Sequence, residues 1–158
     1  MAAKGYEWDV MKMMGGFAVE TTKSLTKDQL LKVPDHFNNN VLWNLGHLLY
    51  YQCNFFYGLT QQPFPLPAGC EEQYKELFAD GTSPKTWKSQ PDVAAVQAQF
   101  ASLTETVLAD AAAGKFDGFK TVELFPGMTL HNANETAAFH AVHLGMHIGA
   151  IGALKKLI

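Results

Sequence analysis

Two cysteines, Cys53 and Cys70, are all that the 158 residues carry. That is too few for a disulfide scaffold, and the pair lacks the spacing of paired metal ligands, so both read as reduced thiols. Charge of either sign is also thin. Twelve basic and 15 acidic residues leave a net charge of −3, with no basic block and no acidic tail. Such a pattern gives a phosphate backbone or an anionic membrane nothing to grip, so neither nucleic acid nor a membrane is expected as a partner. Long unbroken apolar runs are missing as well. Residues 1–16 hold only Lys4 and Lys12 as positive charges, with no apolar segment behind them, unlike a secretory signal. Later apolar stretches are interrupted by Lys, Asp, Asn or His and are not expected to cross a bilayer. A soluble, cytoplasmic protein is therefore expected. Internal repeats and low-complexity tracts are absent too.

What is present is enough apolar material for one substantial core: 47% of the residues are hydrophobic, at a length typical of one domain, so residues 1–158 read as a single domain. Over residues 6–25, Trp8, Val10, Met11, Met14, Phe17 and Ala18 recur at helical spacing and predict a first helix. Residues 26–40 contain Pro34, Asp35 and three asparagines, which favour turns and helix caps. A second helix is predicted over 40–57, with Leu42, Leu45, Leu49 and Phe56 on one face and Gly58 after it. It is nearly apolar all round, as buried helices are. Residues 59–91 form a proline-rich crossover with one helical turn near residues 72–78. A third helix spans 93–113, closed by Gly114. Residues 116–130 suggest a short hairpin or extended loop around Pro126 and Gly127. Asn132 and Glu135 resemble a capping box before a fourth helix over 133–157. The fold class is therefore all-α, a four-helix bundle whose long crossover joins helices two and three.

Three of the six histidines crowd the last helix as His140, His143 and His147 in the run FHAVHLGMHIGAIGAL. At about 100° per residue, His143 and His147 lie roughly 40° apart on one stripe with Thr136, Ala150 and Leu154, so their imidazoles can converge on one ion. Two nitrogen donors want a third for a catalytic site of the zinc type. His47 is the best source. It sits mid-helix in VLWNLGHLLYYQCNF, away from the leucine face, with Trp43, Tyr50 and Asn54 at helical spacing around it. These three read as the wall of a small-molecule pocket. His140, within roughly 60° of His143, is open between a fourth ligand, a group behind the ligands and a pocket wall. His36 and His131 fall in loops, where solvated histidine is the norm. Glu135 is explained by its cap and Cys53 by core packing. Gly145, Gly149 and Gly152 lie opposite the histidines, where small residues let another helix approach or form a dimer contact.

WNLGHLLYY in the second helix, LFADGTSP in the crossover and the closing HAVHLGMHIGAIGAL together resemble the DinB-like (damage-inducible) superfamily, over nearly the whole chain. The resemblance implies an up-down-down-up four-helix bundle, often a homodimer. It also implies that His47, His143 and His147 bind a divalent ion, nickel or zinc being the leading candidates. This chain departs from the common ending at two places: Leu144 stands where an acidic residue usually follows the first histidine of the pair, and Ala150 replaces a glutamine.

The expected function is that of a metal-dependent enzyme on a small substrate, with the ion as Lewis acid or activator of a bound water or thiol. Trp43, Tyr50 and Asn54 would line the pocket, with His140 or Tyr50 carrying protons. The resemblance favours S-transfer from a low-molecular-weight thiol over hydrolysis. From a different class comes the alternative of a non-catalytic, stress-related dimer that holds a metal or ligand. A third reading gives the histidines to an organic ligand alone.

Overall fold

Helices dominate the computed structural model, which describes residues 5–158. Helix α1 spans Tyr6–Thr22. A short α2, Lys27–Leu31, follows, and α3 runs Val41–Cys53. The crossover holds α4, Cys70–Phe78. Helix α5 spans Val93–Ala112, and an antiparallel hairpin of β1, Val122–Phe125, and β2, Met128–Leu130, leads into α6, Ala133–Leu154. The four longest helices close a ring of packing: α1 lies on α6, α6 on α3, α3 on α5, and α5 on α1. The chain is thus mainly helical, as its periodicity predicts.

Local chemistry explains most boundaries. Asn40 caps α3, its Oδ1 accepting from Trp43 N at 2.7 Å, and Asp92 caps α5 by accepting from Ala95 N at 3.1 Å. Asn132 caps α6, its Oδ1 accepting from Glu135 N at 2.9 Å, but the expected box is only half formed, because the Glu135 carboxylate accepts from His131 N at 2.8 Å and not from Asn132 N. Gly127 at φ 86° makes the hairpin turn, where residues with a Cβ are strained.

Three departures from the sequence reading have physical causes. Helix α1 stops at Thr22, short of residue 25, and Thr26 with Gln29 forms a complete capping box that starts α2 inside a segment read as turn. Helix α3 does not continue regularly to residue 57. At Asn54–Gly58 it widens into a π-type turn, which rotates everything beyond Cys53 relative to the α-helical register. Finally, α6, with 22 residues, is long and apolar enough by length and composition to cross a membrane, contrary to expectation. Here it spends that apolar surface on α1 and α3, although Val142 and Met146 stay more than half exposed.

Every residue from Val41 to Tyr50 is buried. The helix therefore sits at the centre of the core, among Trp8, Met11, Phe56, Phe78, Phe100 and Leu144. Gly46 is the closest approach. A Cβ there would come within 2.5 Å of the fully buried Phe78 ring, so the glycine lets the crossover lie directly on α3. Glycine to alanine in a helix interior ordinarily stabilises by about 1 kcal/mol. Gly46→Ala should reverse that sign, because the trapped ring has nowhere to go, and destabilise by about 1–3 kcal/mol. Denaturant midpoints of the variant and the parent protein check the sign.

Candidate metal centre

The crossover is fastened to one stripe of α3. Trp43, His47 and Tyr51, four residues apart, each bond to it. Trp43 Nε1–H donates to Thr82 Oγ1 at 2.8 Å, His47 Nδ1–H to the Phe78 carbonyl at 2.9 Å, and Tyr51 O–H to Asp80 Oδ2 at 3.0 Å. A carbonyl only accepts, so Nδ1 of His47 carries the ring proton and Nε2 presents a bare lone pair.

His147 is set by the same logic from α6. Its Nδ1 lies 2.8 Å from Asn44 Oδ1. The Asn44 amide cannot be turned over, because its Nδ2 donates to the Asn40 carbonyl at 2.8 Å, and the Asn40 amide donates in turn to the Leu31 carbonyl at 2.9 Å. Nδ1 of His147 is thus the donor and Nε2 the free acceptor. His143 closes the group. Its Nε2 lies 3.2 Å from Nε2 of His47. Two lone pairs do not face each other at that distance unless a proton or a cation sits between them. For comparison, two nitrogens bound to one tetrahedral zinc at 2.0–2.1 Å are about 3.3 Å apart.

His47, His143 and His147 therefore offer one ligand atom each, all within 4.8 Å of one another. Burial keeps all three neutral. Desolvation lowers the His47 pKa despite the opposing Phe78 carbonyl and Asp80 carboxylate. It drives His143 down to about 2, helped by its histidine neighbours, and His147 to about 4. Neutral imidazoles with lone pairs converging from two helices are the donor set that a divalent transition ion requires.

A match to the family model of the DinB superfamily covers residues 18–151, from late α1 to near the end of α6. The chain belongs to the DinB superfamily. No curated protein matches it. The departures noted at Leu144 and Ala150 fall outside the group in this DinB protein. Leu144 is fully buried and Ala150 is exposed, off the inward stripe assigned to it. Orientation of the histidines comes instead from Asn44 and the Phe78 carbonyl, partners of the kind that typically matter ten- to a hundredfold in metal affinity.

Other expected site residues are placed less simply. Trp43 stacks on His47 at 4.7 Å between ring centroids. Tyr50 turns away, packing on Tyr51 and Phe64. It is Tyr51 that lies over His47, at 4.5 Å. The reason is angular: on a helix a residue four positions on is offset by about 40°, one three positions on by about 60° the other way. Asn54 begins the π-type turn and folds its amide over Gly58. His140 touches the His143 ring at 5.6 Å but is outside the group of three. It is fully buried against Phe55 and Phe56, with no hydrogen-bond partner on either nitrogen, and burial holds its pKa near 3. Cys53 is a fully buried core residue whose thiol pKa burial raises. His36 and His131 are exposed. Asp80, Asn44 and Tyr51 escaped the sequence reading, although the four-residue steps 43, 47, 51 and 40, 44 were available to find two of them.

Gly145 meets the Met14 side chain of α1 at 3.3 Å, whereas Gly149 and Gly152 have no described atom within 4 Å of a built Cβ. Among the described residues, the first of the three glycines alone seats a neighbouring helix.

Two outcomes follow from burial of the histidines. Unfolded histidine takes its proton near pH 6.5, and the folded rings refuse it until about pH 4 or below. Stability of the ion-free protein is thus full above pH 6.5 and falls as pH drops from 6.5 towards 4, by about 1.4 kcal/mol per pH unit for each such ring. Urea titrations across that window measure the slope. His140→Leu removes two unpartnered buried nitrogens, so it should stabilise the protein by about 1–3 kcal/mol at neutral pH and shallow the acid slope.

Proposed function

We propose that this chain holds a divalent transition-metal ion through Nε2 of His47, His143 and His147, in an up-down-down-up four-helix bundle, and uses it on a small substrate. One observation carries the reading: the lone pairs of His47 and His147 are aimed at a common point by bonds to Phe78 and Asn44, and His143 completes the group. Nickel and zinc both suit three imidazoles. When bound, the ion supplies Lewis acidity and lowers the pKa of a water or thiol.

The residues around it divide the remaining work. Trp43 and Phe55 wall the group with aromatic rings. The outer side, at Tyr51, Asp80 and half-buried His147, is the way in for a substrate. His140 and Tyr50 are the expected proton carriers, and Asp80, exposed and hydrogen-bonded to Tyr51, is a further group at the outer side that can exchange protons with solvent. Thiol S-transfer and hydrolysis both fit an ion with an accessible position, and the family resemblance favours the thiol. A low-molecular-weight thiol is the expected co-substrate, in the cytoplasm, for a homodimer.

Mass-spectrometric metal analysis of purified protein should return about one divalent ion per chain, and His47→Ala or His147→Ala should abolish it. Asn44→Ala, which frees the His147 ring, should weaken metal affinity about ten- to a hundredfold. Thiol-plus-electrophile assays with and without chelator then test turnover. Full activity of both histidine variants would sink the enzymatic reading.

A further inference from the structure

Asp80, on the crossover, stands beside the histidine group. Its Oδ1 lies 3.9 Å from Nε2 of His47, and that nitrogen is a bare lone pair on a neutral ring. Carboxylate and imidazole are both acceptors on this line, so no hydrogen bond and no ion pair joins them. The carboxylate is nonetheless held there. Tyr51 O–H grips the other oxygen at 3.0 Å. On either side the crossover is pinned to α3, by His47 on the Phe78 carbonyl and by Trp43 on Thr82. Gly81, at φ 82°, turns the chain between Asp80 and Thr82. Nε2 of His47 therefore has Nε2 of His143 on one side, at 3.2 Å, and the Asp80 carboxylate on another, at 3.9 Å. A cation at this nitrogen is within reach of both.

We propose that Asp80 is a fourth ligand, a carboxylate delivered by the crossover to the ion held by the three histidines. Asp80 is near His47, at 3.9 Å against the about 3.3 Å between ligand atoms on one tetrahedral ion with bonds near 2.0–2.1 Å, but it stands outside the 4.8 Å group of the three histidines, so ligation requires its side chain to swing toward them. The Asp80 side chain is 82% exposed, so nothing packs against the shift. Tyr51 acts as a positioning residue that fixes the rotation of the carboxylate. The consequence reaches function. With a strictly four-coordinate ion, Asp80 closes the site. With an ion that accepts five or six ligands, the same N3O set leaves positions for water or substrate.

This inference rests on the three-histidine reading, and the test separates the two. Zinc affinity is measured by competition with a chromophoric chelator at neutral pH, for the parent protein, Asp80→Asn, Asp80→Ala, Tyr51→Phe and His147→Ala. Asparagine can still accept the Tyr51 hydrogen bond, so Asp80→Asn alters charge with little else, and circular dichroism confirms the fold. The expected result is a loss of at least ten- to a hundredfold for both Asp80 variants, a smaller loss for Tyr51→Phe, and near-complete loss for His147→Ala. Backbone hydrogen exchange at residues 79–83 should slow on zinc binding in the parent protein and not in Asp80→Ala. Asp80 variants within twofold of the parent, while His147→Ala fails, would overturn the fourth ligand and leave the histidine site standing. No zinc binding by the parent protein would overturn both.

Discussion

The hydrogen bond from His47 to the Phe78 carbonyl ties the fold to the site. It joins the central helix to the crossover, and by placing the ring proton on Nδ1 it leaves Nε2 to face α6. Gly46, one residue before His47, leaves the Phe78 ring room against α3, so the same close approach brings the Phe78 carbonyl beside His47. The Trp43 and Tyr51 bonds on the same stripe extend this fastening along two turns of helix.

Burial has a double effect on the histidines. Desolvation costs an imidazolium far more than a neutral ring, so these side chains remain unprotonated ligands well below the pH at which a solvated histidine charges. The same burial makes each unpartnered nitrogen expensive. His140 shows that cost without relief, with two orphaned nitrogens beside Phe55 and Phe56. His143 has one, at Nδ1. Buried polar groups usually find partners, and this corner of α6 departs from that rule where the chemistry is concentrated.

Much of this was legible in the chain. Helix-period apolar residues gave the long helices, and Asn40, Asp92 and the Asn132 and Glu135 pair gave their starts, because caps are local chemistry. The four-residue spacing of His143 and His147 placed both on one stripe. Some residues stand elsewhere than an α-helical spacing suggests, for identifiable reasons. Tyr50 was chosen over Tyr51 because both lie within about 60° of His47, and only the crossover, which reaches Tyr51 through Asp80, separates them. Asn54 was placed by an α-helical period that the π-type turn breaks. Ala150 was assigned to an inward stripe, but Ile151 and Leu154 are the buried residues at that end of α6 and Ala150 faces solvent.

Periodicity and capping, which depend on residues a few positions apart, were enough for the helices and for two histidines side by side on the last of them, and the motifs were enough for the DinB superfamily. Which nitrogens are free and what stands beside them came from the packing of distant segments. Those facts depend on a carbonyl 31 residues from His47, an amide 103 residues from His147 and a carboxylate in a loop 29 residues from Tyr51. No local pattern encodes such distances, because they arise from how α3, α6 and the crossover pack together.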